Sequence, residues 1–578
     1  MRRELPPSSA IADSKFMPVS RRDFILNLGA LALASPSRDA SADHAATPTA
    51  PSAEACGEPT SLFIPRDRGF LGRLALDDRT LTLRAAALAS GAPQGLSHAY
   101  LASVDGRDYV NPTLVLPSGQ RVKIDFVNAI GEPTIVHWHG LSIDTRNDGA
   151  GSLLAAPGER FAYDFPVRNR SALYWYHPHP HGFTAGQAYR GLFGLLEVTD
   201  SDEERLRAAL DLAPGSTELP LVLQDRRAGS DYAASDADRM HGFLGERALV
   251  NGTACAQLDV GTRIYRFRVL NASNARSYLL GWRLADGKPF PFTLIGNDGG
   301  LLPIPLGCSA AYLASAERLD MLVDLTDFGV GDTLVLETKS FDPMHMETGA
   351  DPAPAQPIDH AAMGHAMPQT DGASSAGPTD HAAMDHGAPA ADPHAGHAAH
   401  GGSFPEGASR TLLALRVRKK LPYRAKVPAR LSTLPSIDVT RATERALRLG
   451  FAKGKWRIND RVFVMGETPI EVKRDSVEVW LIRNYFNSMP HAMHLHGFAF
   501  EVLERQTTPD QVAALKIDDR GRLATDAGRK DTVLVWPGES VRIAIDFACP
   551  FPGEQTYVFH CHNLEHEDSG MMLGVKVI

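Results

Sequence analysis

Three features that are scarce in this sequence narrow the classes of protein it can represent. The chain of 578 residues has only five cysteines, and its formal net charge is -9, from 59 Lys and Arg against 68 Asp and Glu. Nucleic-acid-binding proteins usually have an excess of basic residues, and this chain has an excess of acidic ones, so we expect no nucleic-acid partner. The apolar run from Phe24 to Ala34 is too short to cross a bilayer, so we expect no stable membrane span.

The beginning of the chain is typical of an export signal. Residues 20–26, Ser-Arg-Arg-Asp-Phe-Ile-Leu, match a twin-arginine motif, and an apolar run and the small residues Ala40-Ser41-Ala42 follow it. We therefore predict a twin-arginine signal peptide over residues 1–42, the twin-arginine translocase as a partner during export, and a periplasmic location. Residues 43–75, rich in Ala, Pro, Ser and Thr, are predicted to be a tail and linker.

A strand pattern that recurs three times indicates an internal repeat. In each copy an alternating apolar run ends at an asparagine: 122–126 before Asn128, 265–269 before Asn271, and 477–482 before Asn484. Such alternation predicts half-buried strands. On pattern alone, three spaced copies in a chain of this length predict an all-β fold of three Greek-key β-sandwiches.

Histidines are concentrated in four blocks that could each present two imidazoles to a metal. The blocks are His137-Trp-His139, His177-Pro-His179-Pro-His181, His491-Ala-Met-His494-Leu-His496, and His560-Cys561-His562 followed by His566 and Met571. On a strand, alternate side chains leave the same face, so Cys561 points away from His560 and His562. Two imidazoles, one thiolate and a weak thioether make a blue copper site.

Four blocks in this order, with Cys-x4-His-x4-Met in the last, resemble the multicopper oxidases from about residue 80 to the end of the chain. Within that family the sequence looks most like the three-domain bacterial copper-efflux oxidases. The resemblance implies cupredoxin domains at 76–200, 215–342 (without copper ligands) and 409–578, with an insert at 343–408. It also implies a monomer that binds four coppers and reduces O2 to two waters.

The resemblance also implies a role for each of the site residues. The implied ligands are His491, Cys561, His566 and Met571 for the type 1 copper, His137 and His494 for the type 2 copper, and His139, His177, His179, His496, His560 and His562 for the type 3 pair. Structural zinc and satisfied core histidines are the rival interpretations. A core role does not account for so many histidines in four blocks, and zinc prefers a closed tetrahedral site and needs no trailing methionine. His181 fits no ligand position.

Two acids fall where the family places proton-relay groups, and both are candidate catalytic residues. Asp148 follows His139 by nine residues, and Glu567 is next to His566. Because Asn147-Asp148-Gly149 is a sequence typical of a turn, a purely conformational role for Asp148 is the alternative.

The insert is a low-complexity segment rich in histidine and methionine. Residues 344–402 hold eight histidines and five methionines, and the pentad at 359–363 recurs at 380–384. This composition cannot bury a core and predicts a disordered segment. Thioether and imidazole suit Cu(I); a neutral linker is the alternative. The candidate substrate-copper ligands are Met344, Met346, Met363, Met367, Met384 and, in the third domain, Met465.

Three functions compete for this chain. The first is Cu(I) oxidation for copper tolerance, with phenols as side substrates. Val464 weakens it, because the efflux oxidases are expected to have an acid at that position. The second is a laccase-like oxidation of phenols. The third, a copper-sequestering or scaffold protein, would require lost ligands, and none is lost.

The remaining cysteines leave the disulfide pattern open. If Cys561 binds copper, the others are Cys56, Cys255, Cys308 and Cys549. They allow up to two disulfides in three connectivities, and free buried thiols are the alternative.

Overall fold

Six β-sheets make up most of the chain in this computed structural model, which describes residues 58–89, 92, 95–228, 231–345 and 404–578. The sheets form three β-sandwiches, so the predicted fold class is confirmed. The predicted signal peptide, Cys56 and the methionines at 346, 363, 367 and 384 lie outside the described residues.

The N-terminal part of the described chain holds two short helices and twelve strands. They are β1 (Thr60–Ser61), β2 (Gly69–Phe70), β3 (Arg73–Ala75), β4 (Leu81–Ala87), β5 (His98–Val104), β6 (Arg107–Val110), β7 (Thr113–Pro117), β8 (Arg121–Ala129), β9 (Val136–His139), α1 (Thr145–Asp148), β10 (Arg160–Pro166), β11 (Ala172–Pro178), α2 (Thr184–Arg190) and β12 (Gly194–Thr199). The first sandwich consists of the sheets β10-β8-β4-β5-β6-β2 and β3-β7-β12-β11-β9.

The next part of the chain forms the middle sandwich. Its elements are α3 (Ser201–Leu210), β13 (Glu218–Arg226), α4 (Asp236–His241), β14 (Arg247–Val250), β15 (Ala256–Gly261), β16 (Ile264–Asn271), β17 (Tyr278–Leu284), β18 (Pro289–Phe290), β19 (Phe292–Asn297), β20 (Gly300–Cys308), β21 (Ala311–Leu313), β22 (Arg318–Asp324), β23 (Thr333–Thr338) and β24 (Arg410–Lys419). The two sheets have the orders β1-β15-β24-β23-β17-β18, with β21 on β17, and β14-β13-β16-β22-β19-β20.

The C-terminal part forms the third sandwich. Its elements are β25 (Thr443–Ala452), β26 (Lys455–Ile458), β27 (Ile470–Val472), β28 (Val477–Asn484), β29 (His491–Leu495), β30 (Phe500–Gln506), α5 (Asp510–Ala513), a 3-10 turn (Ala524–Asp526), β31 (Thr532–Val535), β32 (Ser540–Asp546), β33 (Gln555–Cys561), α6 (Leu564–Asp568) and β34 (Met572–Val577). The sheets are β26-β25-β28-β32-β30 and β27-β34-β33-β29-β31. Among the described residues, no helix is long and apolar enough to cross a membrane.

The three asparagines of the repeat occupy equivalent places, which explains why the pattern recurs. Asn128, Asn271 and Asn484 each lie at or one residue before the end of a strand and are buried. Their side-chain amides donate to the carbonyls of Glu132 (3.0 Å), Arg276 (2.7 Å) and Met489 (2.8 Å) respectively. Each amide thus satisfies a backbone acceptor in the loop that leaves its strand.

Two predicted boundaries differ from the structure. Residues 43–75 are predicted to be a tail and linker, yet β1 pairs with β15, and β2 and β3 pair with β6 and β7. The third domain is predicted to begin at residue 409, yet β24 pairs with β15 and β23 of the middle sandwich. Strands of two or three residues are too short to show alternation, and only tertiary contacts decide which sheet a strand such as β24 joins.

The disulfide question is partly answered by the described residues. Cys255 is disulfide-bonded, whereas Cys308, Cys549 and Cys561 are free and buried. The free thiol of Cys561 is therefore available to a metal.

Candidate metal centre

Strand pairing brings the four histidine blocks together in two pairs. In the first sandwich, β9 and β11 are antiparallel neighbours, with His137 opposite His177. In the third sandwich, β29 and β33 are antiparallel neighbours, with His494 opposite His560. Each pair of strands, together with the residues just beyond the strand ends, therefore presents four imidazoles.

The two sandwiches meet face to face at these strands, so eight buried histidines surround one point. The ring of His137 stacks on that of His496, and the ring of His139 on that of His494, each with 3.8 Å between centroids. Ligand atoms within 4.8 Å of one another define four metal-capable groups here: His137, His139 and His177; His137, His494 and His496; His179, His496 and His560; and His139, His494 and Asp531. His562 also belongs to this cluster, because its Nε2 lies 3.4 Å from His177 Nε2.

Hydrogen bonds behind the rings determine which nitrogens face the centre. Five of the rings direct Nδ1 to an oxygen: His137 to Asp148 O (2.8 Å), His177 to Pro178 O (2.8 Å), His494 to Asp531 O (2.8 Å), His496 to Asp148 Oδ2 (2.8 Å) and His560 to Cys561 O (3.0 Å). An imidazole whose Nδ1 donates carries its lone pair on Nε2. The Nε2 atoms of His137 and His494 are buried and make no hydrogen bond within the described chain, as open metal ligands would be.

Burial favours the neutral form of most imidazoles in the four blocks, and the neutral form is the one that binds metals. Burial is the largest cause that lowers the pKa of His139, His177, His179, His491, His494, His496, His560, His562 and His566. The pKa values of His560 and His566 fall to about 3. A copper cluster therefore fits this donor set.

A separate metal-capable group, which contains Cys561, lies on the opposite face of β33. The Sγ of Cys561 is 3.5 Å from His491 Nδ1 and 3.6 Å from His566 Nδ1. Met571 is buried in the same core, and its backbone bonds to Cys561 and His566. Burial raises the pKa of the Cys561 thiol to about 12, so a metal that binds the thiolate must displace a proton.

In the group that contains Cys561, the Nε2 atoms of both histidines also have hydrogen-bond partners. His491 Nε2 lies 3.3 Å from Ser488 Oγ, and His566 Nε2 donates to the backbone carbonyl of Met240 on α4 at 2.9 Å. Both Nδ1 atoms are thereby directed at the sulfur. Because His560 and His562 flank Cys561, the polypeptide itself connects the two metal-capable sites.

The two candidate proton-relay acids both touch the eight histidines. Asp148 Oδ2 lies 2.8 Å from His496 Nδ1. The two carboxylate oxygens of Glu567 lie 3.5 Å from His179 Nε2 and 3.4 Å from His560 Nδ1. Burial raises the pKa of Glu567 well above its usual value. Asp148 also ends α1 ahead of Gly149 in the left-handed conformation, so its turn position and its contact with His496 coexist. Their relay role stays a prediction.

The remaining sequence candidates lie away from the eight histidines. Met465 is 45% exposed and lines a cleft of about 930 Å³ beside Phe463 and Tyr557. Met344 is half-buried against a separate core cluster that includes Trp536. His181 is exposed and packs on Phe463; it belongs to none of the metal-capable groups among the described residues.

Two contacts were not predicted from the sequence. The Asp531 carboxylate lies 3.1 Å from His139 Nε2. Asp531 belongs to the stretch Gly528-Arg-Lys-Asp-Thr532, whose sequence distance from the histidine blocks does not predict a contact with them. The Met240 contact to His566 is made by a backbone oxygen, which no side-chain motif can reveal.

Comparison with known proteins agrees with this geometry. Residues 90–203 and 428–578 match two family models, both described as multicopper oxidase. The crystal structure of the McoA multicopper oxidase from Aquifex aeolicus is similar to 90% of this chain and 99% of its own, with 31% identity and a TM-score of 0.72. A laccase from Haloferax volcanii is 30% identical over 459 residues, 77% of this chain and 67% of that protein. A laccase-like CueO from Ochrobactrum sp. is 25% identical, with a TM-score of 0.65 over 89% of this chain and all of its own (100%).

Proposed function

We infer that this chain, which belongs to the multicopper oxidase family, takes its electrons from Cu(I) in the periplasm, for copper tolerance, with phenols as secondary substrates. It is an O2-reducing oxidoreductase with type 1 and trinuclear copper sites. In the net reaction, four Cu(I) ions each lose one electron, and one O2 takes up four electrons and four protons to give two waters.

We assign the copper ligands by combining the sequence motifs with the metal-capable groups. His491, Cys561, His566 and Met571 hold the type 1 copper, His137 and His494 the type 2 copper, and His139, His177, His179, His496, His560 and His562 the type 3 pair. Copper bound there supplies one-electron acceptance at the cysteine site and reduction of O2 at the histidine cluster. The protein itself contributes the orientation of the rings and the link from Cys561 to His560 and His562.

The observation that most favours Cu(I) is the closed surface over the cysteine site. His491 and His566 are fully buried, and α4 covers the Nε2 edge of His566 with the Met240 carbonyl. The indole nitrogen of Trp456 donates to the same carbonyl at 2.8 Å. A phenol ring therefore cannot contact either imidazole of the cysteine site, His491 or His566, whereas an ion can donate its electron from outside α4.

The surroundings of α4 also suit a copper ion. His241, next to Met240, stacks on His345 with 5.6 Å between the ring centroids, and His345 Nε2 lies 2.8 Å from Glu406 Oε2. His345 and Glu406 are near the two ends of the histidine- and methionine-rich segment. A segment that collects Cu(I) would therefore be attached beside the proposed electron entry point.

Laccase-like oxidation of phenols is the second candidate. It is favoured by the relatives that are named laccase, and by the Ochrobactrum CueO, whose described activity is towards lignin model compounds and lignosulfonate. The two candidates differ in whether Cu(I) or the phenol sustains turnover by itself.

Deletion of residues 346–403 is expected to suppress O2 uptake with Cu(I) and to spare O2 uptake with a dimethoxyphenol. The structure permits the deletion, because the Phe341 amide donates to the Gly407 carbonyl at 2.9 Å and a short Gly-Ser linker can join the ends. Steady-state O2 consumption by the copper-loaded protein is the measurement.

A matched control for the deletion keeps the length of the segment but replaces its histidines and methionines with Gln and Leu. It should behave like the deletion if ligands, rather than length, deliver Cu(I). Rapid phenol oxidation without added copper, with poor Cu(I) oxidation by the full chain, would refute the cuprous proposal and leave a laccase.

The periplasmic part of the proposal rests on the twin-arginine motif, and it predicts a fractionation result. Replacing Arg21 and Arg22 by lysine should leave the protein in the cytoplasmic fraction, because the translocase reads the arginine pair. Immunodetection in periplasmic and cytoplasmic fractions measures this. Equal periplasmic amounts of the parent and the variant would contradict the proposed export route.

A further inference from the structure

One residue, Asp531, is in contact with cluster histidines from both outer sandwiches. Its backbone carbonyl accepts the Nδ1 hydrogen of His494 at 2.8 Å, and its carboxylate Oδ1 lies 3.1 Å from Nε2 of His139. His139 ends β9 in the first sandwich, and His494 lies on β29 in the third. Asp531 therefore links the two halves of the cluster.

His139 is oriented in the opposite sense to the five rings that donate from Nδ1. Its Nδ1 lies 3.4 Å from His177 Nε2 and so faces the cluster, while its Nε2 faces Asp531. A ring in this orientation must carry its hydrogen on Nε2 to leave the Nδ1 lone pair for a metal. The Asp531 carboxylate is the acceptor that selects this tautomer.

Arg318 holds that carboxylate in place from the middle sandwich. On β22, its guanidinium forms a two-pronged ion pair with Asp531, with Nη1 to Oδ1 at 2.9 Å and Nη2 to Oδ2. Its Nε also donates to the Leu173 carbonyl on β11, at 3.1 Å. All three sandwiches therefore meet at this buried arginine.

The Asp531 carboxylate lies within ligand distance of His139 and His494, but its other contacts assign it to orienting a ring rather than to binding a metal. Both of its oxygens are engaged by Arg318, and the Thr532 hydroxyl donates to Oδ1 at 2.9 Å. A guanidinium cation at this distance also repels a metal cation from the same oxygens. Gly140, with φ of 84°, leaves the space that Asp531 and Arg318 occupy, which a Cβ there would fill.

We propose that Asp531 and Arg318 are positioning residues for the copper cluster, and that the middle sandwich, which has no ligand of its own, thereby controls the orientation of His139. This inference rests on the copper assignment above. It gives the middle sandwich a role in copper retention as well as in spacing the outer two.

The test is Asp531→Asn in the full chain, reloaded with copper. Loss of a group that orients a metal-binding histidine costs about 10- to 100-fold in metal affinity. We expect the chelator concentration that removes cluster copper to fall by that factor, and the spin-coupled copper pair, silent in electron paramagnetic resonance, to become visible. The blue absorption of the cysteine site should remain. Arg318→Lys, which keeps the charge but loses the two-pronged geometry, should give a smaller loss.

The matched control is Asp526→Asn. Asp526 forms a similarly buried, two-pronged pair with Arg505 in the third sandwich (2.6 and 2.9 Å). It should lower the unfolding temperature without changing copper retention. Equal copper loss in both variants would show that general destabilisation causes the loss, and would contradict the proposal. Unchanged cluster copper in Asp531→Asn would also overturn it. Four coppers in the parent chain would uphold the cofactor assignment in either case.

Discussion

Cys561→Ser is expected to abolish measurable O2 uptake with every donor, because the thiolate is the ligand that defines the electron-accepting site. Serine has nearly the same volume, and Cys561 is fully buried in the core of the third sandwich, so the fold should persist. The blue absorption should vanish, and copper content should fall by one ion per chain. O2 consumption, visible absorption and elemental analysis are the measurements.

Cys549→Ser is the matched control for this change. Cys549 is a free, buried thiol in the same core and belongs to none of the metal-capable groups of the described chain. It should retain colour and turnover. Blue colour that survives in Cys561→Ser, or is lost in Cys549→Ser, would show that the cysteine site has been assigned to the wrong thiol.

Glu567→Gln is expected to lower kcat by about 100-fold or more, the usual contribution of a positioned proton donor. Glu567 faces both His179 and His560, and burial raises its pKa, which favours the protonated carboxyl. Glutamine keeps the shape but cannot release a proton. Reduction of the blue copper under nitrogen should be unchanged, because electron entry does not need the acid.

The control for the second prediction is Glu539→Gln. Glu539 is equally buried in the third sandwich, and its carboxylate accepts from Arg505 and from the Trp536 amide, away from the eight histidines. Its loss should affect stability and leave kcat nearly unchanged. If Glu567→Gln slows anaerobic reduction as much as O2 turnover, Glu567 acts on electron entry and the proton-relay prediction is wrong.

The ligand-bearing blocks could be predicted from the sequence because their chemistry is local. The alternation in His560-Cys561-His562 places a sulfur and two imidazoles on opposite faces of one strand, whatever surrounds that strand. The repeated asparagines at 128, 271 and 484 likewise report one sandwich pattern three times. Short-range spacing of this kind determined the fold class, the family and the candidate ligands.

The assignment of strands to sandwiches was beyond the sequence. Strand β24 lies just after the histidine- and methionine-rich segment, yet it lies between β15 and β23 in a sheet of the middle sandwich. Nothing in its own residues selects those partners, because pairing depends on which strands the assembled sheet brings beside it. For this reason the pairing of β24 differs from the predicted third-domain start at 409.

The sequence by itself determined which side chains can bind copper and on which faces of their strands they lie. Only the tertiary structure decided how they are held: Asp531 and Arg318 orient His139 from different sandwiches, and a backbone carbonyl at Met240 covers His566. The physical reason is range. Side-chain direction follows from the backbone geometry of a few residues, whereas a hydrogen bond between residues 139 and 531 exists only where the first and third sandwiches pack against each other.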